Sequence, residues 1–284
     1  MARECDGSAG YSVNDRHDFG ADFQLTLLTA DAETAADADA AGVQRIGVDL
    51  DLRGKADRQP ASENRISGHT VQDLRRIRDA VRTAELFVRI NPLHAGTAEE
   101  IDLVLEAGAH WVMLPFFRQA SEVEQFIRLL RGRGRAAILI ETSTALLRIR
   151  QILAVSGIAE VTFGFNDLRH DFHVRSHFEV LGSPLIDSAA KEVVRRDLPL
   201  SMGGVARPDD AHAPMPVELV YAQYPRLRAT GAWIARSFLR QATTHSFLAD
   251  DVQRLRQRLS WWAGQSAEDL ERARAELLLR AEMI

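Results

Sequence analysis

The 284-residue chain has a single cysteine, Cys5, and only two lysines, Lys55 and Lys191, among its 35 basic residues. One cysteine excludes an internal disulfide and a cysteine-based zinc cluster. Its polar N-terminal surroundings lack the apolar core of a signal peptide, so the expectation is an intracellular, cytoplasmic protein. No apolar run approaches the roughly 20 residues that cross a bilayer, which argues against a membrane role. A net charge of −5 gives no general attraction to nucleic acid, so any anionic ligand needs a local group of cations. No glycine-rich GxGxxG turn follows the first apolar run, which weakens a dinucleotide-binding reading.

What is present is a soluble globular composition, 46% hydrophobic and 26% charged, with a regular alternation. Short apolar runs at 23–29, 45–50, 86–91, 111–116, 136–141, 160–165, 199–203 and 231–236 read as strands. Amphipathic stretches such as 71–82, 98–107, 122–131 and 144–153 read as helices between them. Several strands are apolar at nearly every position, as parallel strands covered by helices must be. Eight strand–helix units predict an α/β protein with a closed (β/α)8 TIM barrel. Residues 1–20 read as a flexible leader that could also cover one barrel end, and 21–263 as the barrel domain. Further helices are expected at 238–248, 251–263 and 267–282. The last carries an apolar stripe of Leu270, Ala273, Leu277, Leu278 and Ala281, which either packs on its own barrel or docks on a neighbouring subunit.

In this architecture chemistry gathers at the carboxyl ends of the strands. Strand two ends in Asp49-Leu50-Asp51, strand three in Arg89-Ile90-Asn91, strand five in Glu141 and strand six in Asn166-Asp167. Glu141 and Asp167 emerge from neighbouring strands about 4.8 Å apart and could share a hard cation such as Mg²⁺. Alone, either could instead cap the helix that follows it. Arg89 is either the partner of a rim carboxylate such as Asp49 or a fork-shaped donor to a substrate oxyanion. Gly203-Gly204 and Arg236 lie where barrels often bind phosphate, or else form a tight turn and a rim ion pair. His69, His170 and His173 are possible acid–base groups and equally possible solvated residues.

Four blocks carry a resemblance. Phe87-Val88-Arg89-Ile90-Asn91-Pro92-Leu93, Glu106-Ala107-Gly108-Ala109-His110-Trp111-Val112-Met113-Leu114-Pro115, Ile138-Leu139-Ile140-Glu141-Thr142 and Phe163-Gly164-Phe165-Asn166-Asp167-Leu168 follow one another in order. The chain resembles the class II pyruvate aldolase and citrate lyase β-subunit family, of HpcH/HpaI aldolase type, from strand one to Phe238. The resemblance implies a Mg²⁺ or Mn²⁺ site at Glu141 and Asp167, with Arg89 beside a bound oxo-acid. It also implies a final helix, 264–284, exchanged between subunits of a dimer-based, trimeric or hexameric homo-oligomer.

The implied activity is that of a metal-dependent carbon–carbon lyase or aldolase working through the enolate of pyruvate or a related 2-oxo acid. An aldehyde or acyl compound would be the second small-molecule partner, with Asp49 or Asp51 ordering waters or assisting proton transfer. Arg236, Gly203, Gly204 and His69 would contact substrate. Two alternatives remain open: a citryl- or malyl-coenzyme A thioester lyase, and a non-catalytic barrel that binds an oxo-acid or scaffolds a partner. The chain departs from the family pattern in three places. The loop Thr29-Ala30-Asp31-Ala32-Glu33 holds no histidine, Asp49-Leu50-Asp51-Leu52-Arg53 stands in place of Asp-Leu-Glu-Asp, and Phe116-Phe117-Arg118 has no lysine.

Overall fold

A computed structural model describes residues 18–53, 67–239 and 245–284; Cys5, Lys55 and Arg58 lie outside these segments. Eight parallel strands close into one barrel in chain order: β1 Gln24–Leu28, β2 Arg45–Asp49, β3 Glu85–Arg89, β4 Trp111–Leu114, β5 Arg135–Ile140, β6 Ile158–Phe163, β7 Leu200–Val205 and β8 Gly231–Ile234. The (β/α)8 TIM barrel expected from the alternating pattern is therefore the fold observed. Every predicted strand overlaps an observed one.

Period-two alternation sorts each strand into two faces. On β5, Ala136, Ile138 and Ile140 join the large core beneath the surrounding helices, whereas Ala137 and Leu139 join a second cluster inside the barrel. That interior cluster contains Phe87, Trp111 and Met113, with Leu28 and Trp233 packed against it. The next inward position after Phe87 is Arg89, and after Leu139 it is Glu141. The same alternation that fills the barrel thus places charged side chains at its carboxyl-terminal mouth.

Deeper in the barrel, Arg45 pairs with Glu160, both nearly sequestered from solvent, and the guanidinium lies 3.7 Å from the centre of the Trp111 ring. Burial pushes the Glu160 carboxyl up, against the opposing pull of Arg45 and a hydrogen bond from Ser201.

The helices agree with the sequence reading less closely than the strands. The stretch expected as one helix, 144–153, is two short ones, Ser143–Leu147 and Ile149–Ile152, divided at Arg148. The Arg148 N–H bonds both the Thr144 and Ala145 carbonyls, a tightening that ends the first helix. The pieces expected at 238–248 and 251–263 are also redrawn, as Arg236–Leu239 and a continuous His245–Ala263. Residues 18–22 are held against this long helix. Arg256 donates to the Gly20, Ala21 and Phe23 carbonyls, and the Gly20 N–H donates to Ser260 Oγ at 3.0 Å.

The last helix, Ala267–Ala281, packs on its own barrel. Ala273, Leu277 and Ala281 are buried, Arg274 Nε donates to the Gly182 carbonyl at 2.7 Å, and a Cβ at Gly182 would fall 2.7 Å from Leu278. Of its apolar stripe, Ala273, Leu277 and Ala281 are buried within the chain and Leu270 and Leu278 are half-buried. None of the described helices is long and apolar enough to cross a membrane.

Replacing Glu160 with Ala would leave the Arg45 guanidinium buried without a counter-charge, at a cost of about 3–5 kcal/mol of stability. Removing exposed Glu124, which pairs with Arg128 across one helical turn, should cost less than about 1 kcal/mol. Chemical denaturation of the two variants checks this contrast, and equal losses would contradict it.

Candidate active site at the carboxyl-terminal mouth of the barrel

A cavity of about 720 Å³ opens at the carboxyl ends of the strands. Its walls include Asp49, Arg89, Glu141, Asp167, Gly203, Gly204, His69 and Arg236. Eight of the eleven candidate residues singled out by the sequence therefore meet in one space, and Asp51, His170 and His173 do not. Asp51 has a buried side chain, and its N–H donates to Asp49 Oδ1 at 3.1 Å. It supports the loop after β2 instead.

Arg89 and Asp49 stand opposite each other in the β2–β3 register. Arg89 Nε donates to Asp49 Oδ1 at 2.7 Å and a terminal nitrogen donates to Oδ2 at 2.5 Å, a bidentate fork. Desolvation opposes charge on Arg89, but Asp49 first, then Glu141 and Asp51, hold its pKa above the ordinary arginine value. The guanidinium also lies 5.1 Å from the centre of the Trp233 ring. The pairing with Asp49 anticipated for Arg89 is real, and it fixes the cation on the cavity wall.

Asp49 anchors more than this pair. Ser67 Oγ donates to its Oδ2 at 2.7 Å, and Arg236 reaches the same Ser67 hydroxyl at 3.3 Å. The Asp49 N–H donates to His69 Nδ1 at 3.1 Å. Neutral His69 accepts at Nδ1 and so carries its proton on Nε2.

Glu141 does not cap the helix that follows β5, because Thr142 does so by accepting from the Ala145 N–H. Glu141 Oε1 accepts from the Phe116 N–H at 2.9 Å instead. Phe116 has φ of 50°, a left-handed conformation that turns this amide out of β4. Asp167 lies in the first turn of the helix Phe165–Phe172, whose N-cap, Gly164, provides no side-chain cap. A Cβ at Gly164 would fall 2.8 Å from Glu141 Cβ and 3.2 Å from its Oε2. Glycine at this position therefore makes the space that Glu141 occupies.

Glu141 and Asp167 supply only hard oxygen donors. Among the described residues no cluster of three or more His, Cys, Asp or Glu side chains is assembled to hold a metal. Two carboxylates with room for waters and a chelating ligand suit Mg²⁺ or Mn²⁺, and do not suit a closed zinc site.

Gly203 and Gly204 lie inside β7, not in a turn beyond it. Gly204 has φ of 82°, and the β7–β8 register shifts between Met202 and Val205, the signature of a bulge. His170 is engaged with Arg169, exposed His173 adopts a left-handed helix C-cap, and neither lines the cavity. Lys191 is exposed on the helix Pro184–Val194.

Sequence reasoning missed Ser67, Thr162, Arg169, His177 and Trp233, all of which line the cavity. The box Ser176-x-x-Glu179 announces a helix start beside His177. Only the tertiary fold brings that helix over the mouth.

Comparison with known proteins bears on this arrangement. Residues 60–196 match the family model described as HpcH/HpaI aldolase/citrate lyase. Over that segment the chain is similar to the HpcH/HpaI aldolase/citrate lyase family. An HpcH/HpaI aldolase from Desulfitobacterium hafniense is 16% identical with a TM-score of 0.58, covering 84% of this chain and 94% of its own. RipC from Yersinia pestis is 17% identical with a TM-score of 0.56, covering 88% and 99%. The citrate synthase SbnG is 13% identical with a TM-score of 0.61, covering 83% and 95%. At these identities the solved structures establish the shared barrel. No curated protein sequence matches the chain. The HpcH/HpaI family match supports a lyase or aldolase function, and its segment contains Arg89, Glu141 and Asp167.

The Asp49–Arg89 fork gives a test within this site. Asp49→Ala should cost about 3–5 kcal/mol by stranding the Arg89 charge, and adding Arg89→Met should recover most of that loss. Losses that simply add in denaturant titrations would contradict the account.

Proposed function

We propose that the protein is a divalent-metal-dependent carbon–carbon lyase or aldolase that works through the enolate of pyruvate or a related 2-oxo acid. The observation that carries this reading is the convergence of Glu141, Asp167 and Arg89 on one cavity. Glu141 and Asp167 would hold Mg²⁺ or Mn²⁺ by one carboxylate each. When bound there, the ion supplies a Lewis acid that polarises the ketone and acidifies the neighbouring carbon.

The chain's own residues account for the rest of the stabilisation. Asp49 holds Arg89 in one orientation before substrate arrives, so little reorganisation is needed as negative charge develops on the enolate oxygen. Arg89 Nη1 is not used by Asp49 and is the nitrogen available to that oxygen. His69, with Nδ1 engaged by the Asp49 amide, presents Nε2–H as a neutral hydrogen-bond donor. Its role is to steady an oxygen of the aldehyde or acyl partner, not to remove a proton. Arg236, linked through Ser67 to the same carboxylate, adds positive charge to the wall for an anionic substrate.

A thioester lyase acting on a citryl- or malyl-coenzyme A substrate would use the same acids. Calorimetric titration with coenzyme A separates the two, because only the thioester reading requires measurable binding.

The decisive assay for the leading proposal is exchange of the pyruvate methyl protons for deuterium, followed by proton NMR with Mg²⁺ or Mn²⁺ present. The wild type should catalyse exchange, and chelation of the metal should stop it. Glu141→Ala should lower the rate by about 10³-fold or more, and Arg89→Met by roughly 10²–10³-fold, with the barrel still folded by circular dichroism. Undiminished exchange in Glu141→Ala would remove the proposal.

A further inference from the structure

Beneath the ring of charged residues the cavity has a floor with a different character. Leu28 and Leu139 line it with apolar surface, and two polar side chains interrupt them, Thr162 of β6 and Trp233 of β8. Thr162 is fully buried, and its Oγ1 has no hydrogen-bond partner. Trp233 Nε1 is likewise buried without a partner. Buried side-chain polar atoms in folded proteins are nearly always satisfied, so two orphans lining one cavity call for an acceptor that occupies it.

Their level in the barrel identifies what that acceptor is. Thr162 pairs in register with Leu139, and the next inward positions on the two strands are Gly164 and Glu141. Two strand residues span roughly 7 Å, so Thr162 lies one layer below the Glu141 carboxylate. Trp233 packs edge-on to Phe87, with ring centres 6.0 Å apart, and the Arg89 guanidinium lies 5.1 Å from the centre of the same ring. Thr162 therefore lies inward of the charged ring, and Trp233 lies where the interior Phe87 gives way to Arg89.

We infer that Thr162 and Trp233 form an acceptor-binding floor that selects a 2-oxo acid with an oxygen substituent on the carbon next to its ketone. This rests on the reading of Glu141, Asp167 and Arg89 given above. In that reading the carboxylate and ketone oxygens of the substrate are taken by the upper ring. The group left to meet the floor is the substituent on the adjacent carbon. A methyl group there leaves both donors unpaired, whereas a hydroxyl or carboxylate oxygen accepts from them. A site built to bond an oxygen discriminates strongly against the analogue without one, because the cost falls on its own unpaired groups.

The test compares pyruvate with hydroxypyruvate, which differ by one hydroxyl at that carbon, by calorimetric titration of the full chain in millimolar MgCl₂. The wild type should bind hydroxypyruvate about tenfold more tightly, the range of one or two hydrogen bonds to otherwise unpaired buried donors. Thr162→Val, which replaces the hydroxyl with a methyl of similar size, should bring the ratio close to one while leaving pyruvate affinity within about threefold. Trp233→Phe should shift the ratio in the same direction and decides the matter if Thr162→Val fails to fold.

Equal affinities in the wild type would mean that a fixed water serves both donors and would overturn the inference. So would a preference that survives both substitutions. Binding of pyruvate without any preference sinks the floor alone, whereas failure of both acids to bind sinks the reading of the charged ring with it.

Discussion

Closure of eight parallel strands is the constraint from which the rest follows. A closed parallel sheet has one inner and one outer face, and every strand must alternate between them. Leu139 fills the interior and so Glu141 must point to the mouth; Phe87 fills it and so Arg89 must do the same. Charged residues placed two positions beyond an interior hydrophobe converge without any dedicated loop. Rigid strand ends then hold them more firmly than flexible segments could.

Convergence of charge in a buried space has an electrostatic cost, and the site meets it by pairing. Asp49 neutralises Arg89 through two hydrogen bonds and also receives Ser67, while its backbone amide engages His69. One carboxylate thereby orders a cation, a hydroxyl and an imidazole. Glu141 and Asp167 lie across the same cavity, and a hard cation would relieve their mutual repulsion as Arg89 does for Asp49. Lower in the barrel the Arg45–Glu160 pair follows the same rule with no access to the mouth, which suits a structural part.

The strands were legible because their signal is local and repeated: eight apolar runs, most of them ended by a polar residue or glycine. Glu141, Asp167, Asp49 and Arg89 were legible for the same reason, since the end of a run marks the barrel rim. Asp51 stands two positions past Asp49 and beyond the end of β2, where strand alternation no longer sets the direction of a side chain, and its amide turns back to Asp49. The helix division at Arg148 depends on a bifurcated backbone bond that leaves no pattern in the sequence. His177 and Arg169 reach the cavity only because two short helices fold over the mouth, a tertiary fact with no periodic trace. Trp233 read as an ordinary strand residue, and its unpartnered nitrogen becomes visible only once its surroundings are known.

The central claim is that Glu141 and Asp167 share one hard cation at the mouth of this barrel. Anomalous diffraction from crystals grown with Mn²⁺ and oxalate tests it most directly. The account predicts a single anomalous peak within bonding distance of a carboxylate oxygen from each residue, with oxalate completing the coordination beside Arg89. No peak there, or manganese bound elsewhere while both acids turn away from the cavity, would contradict it.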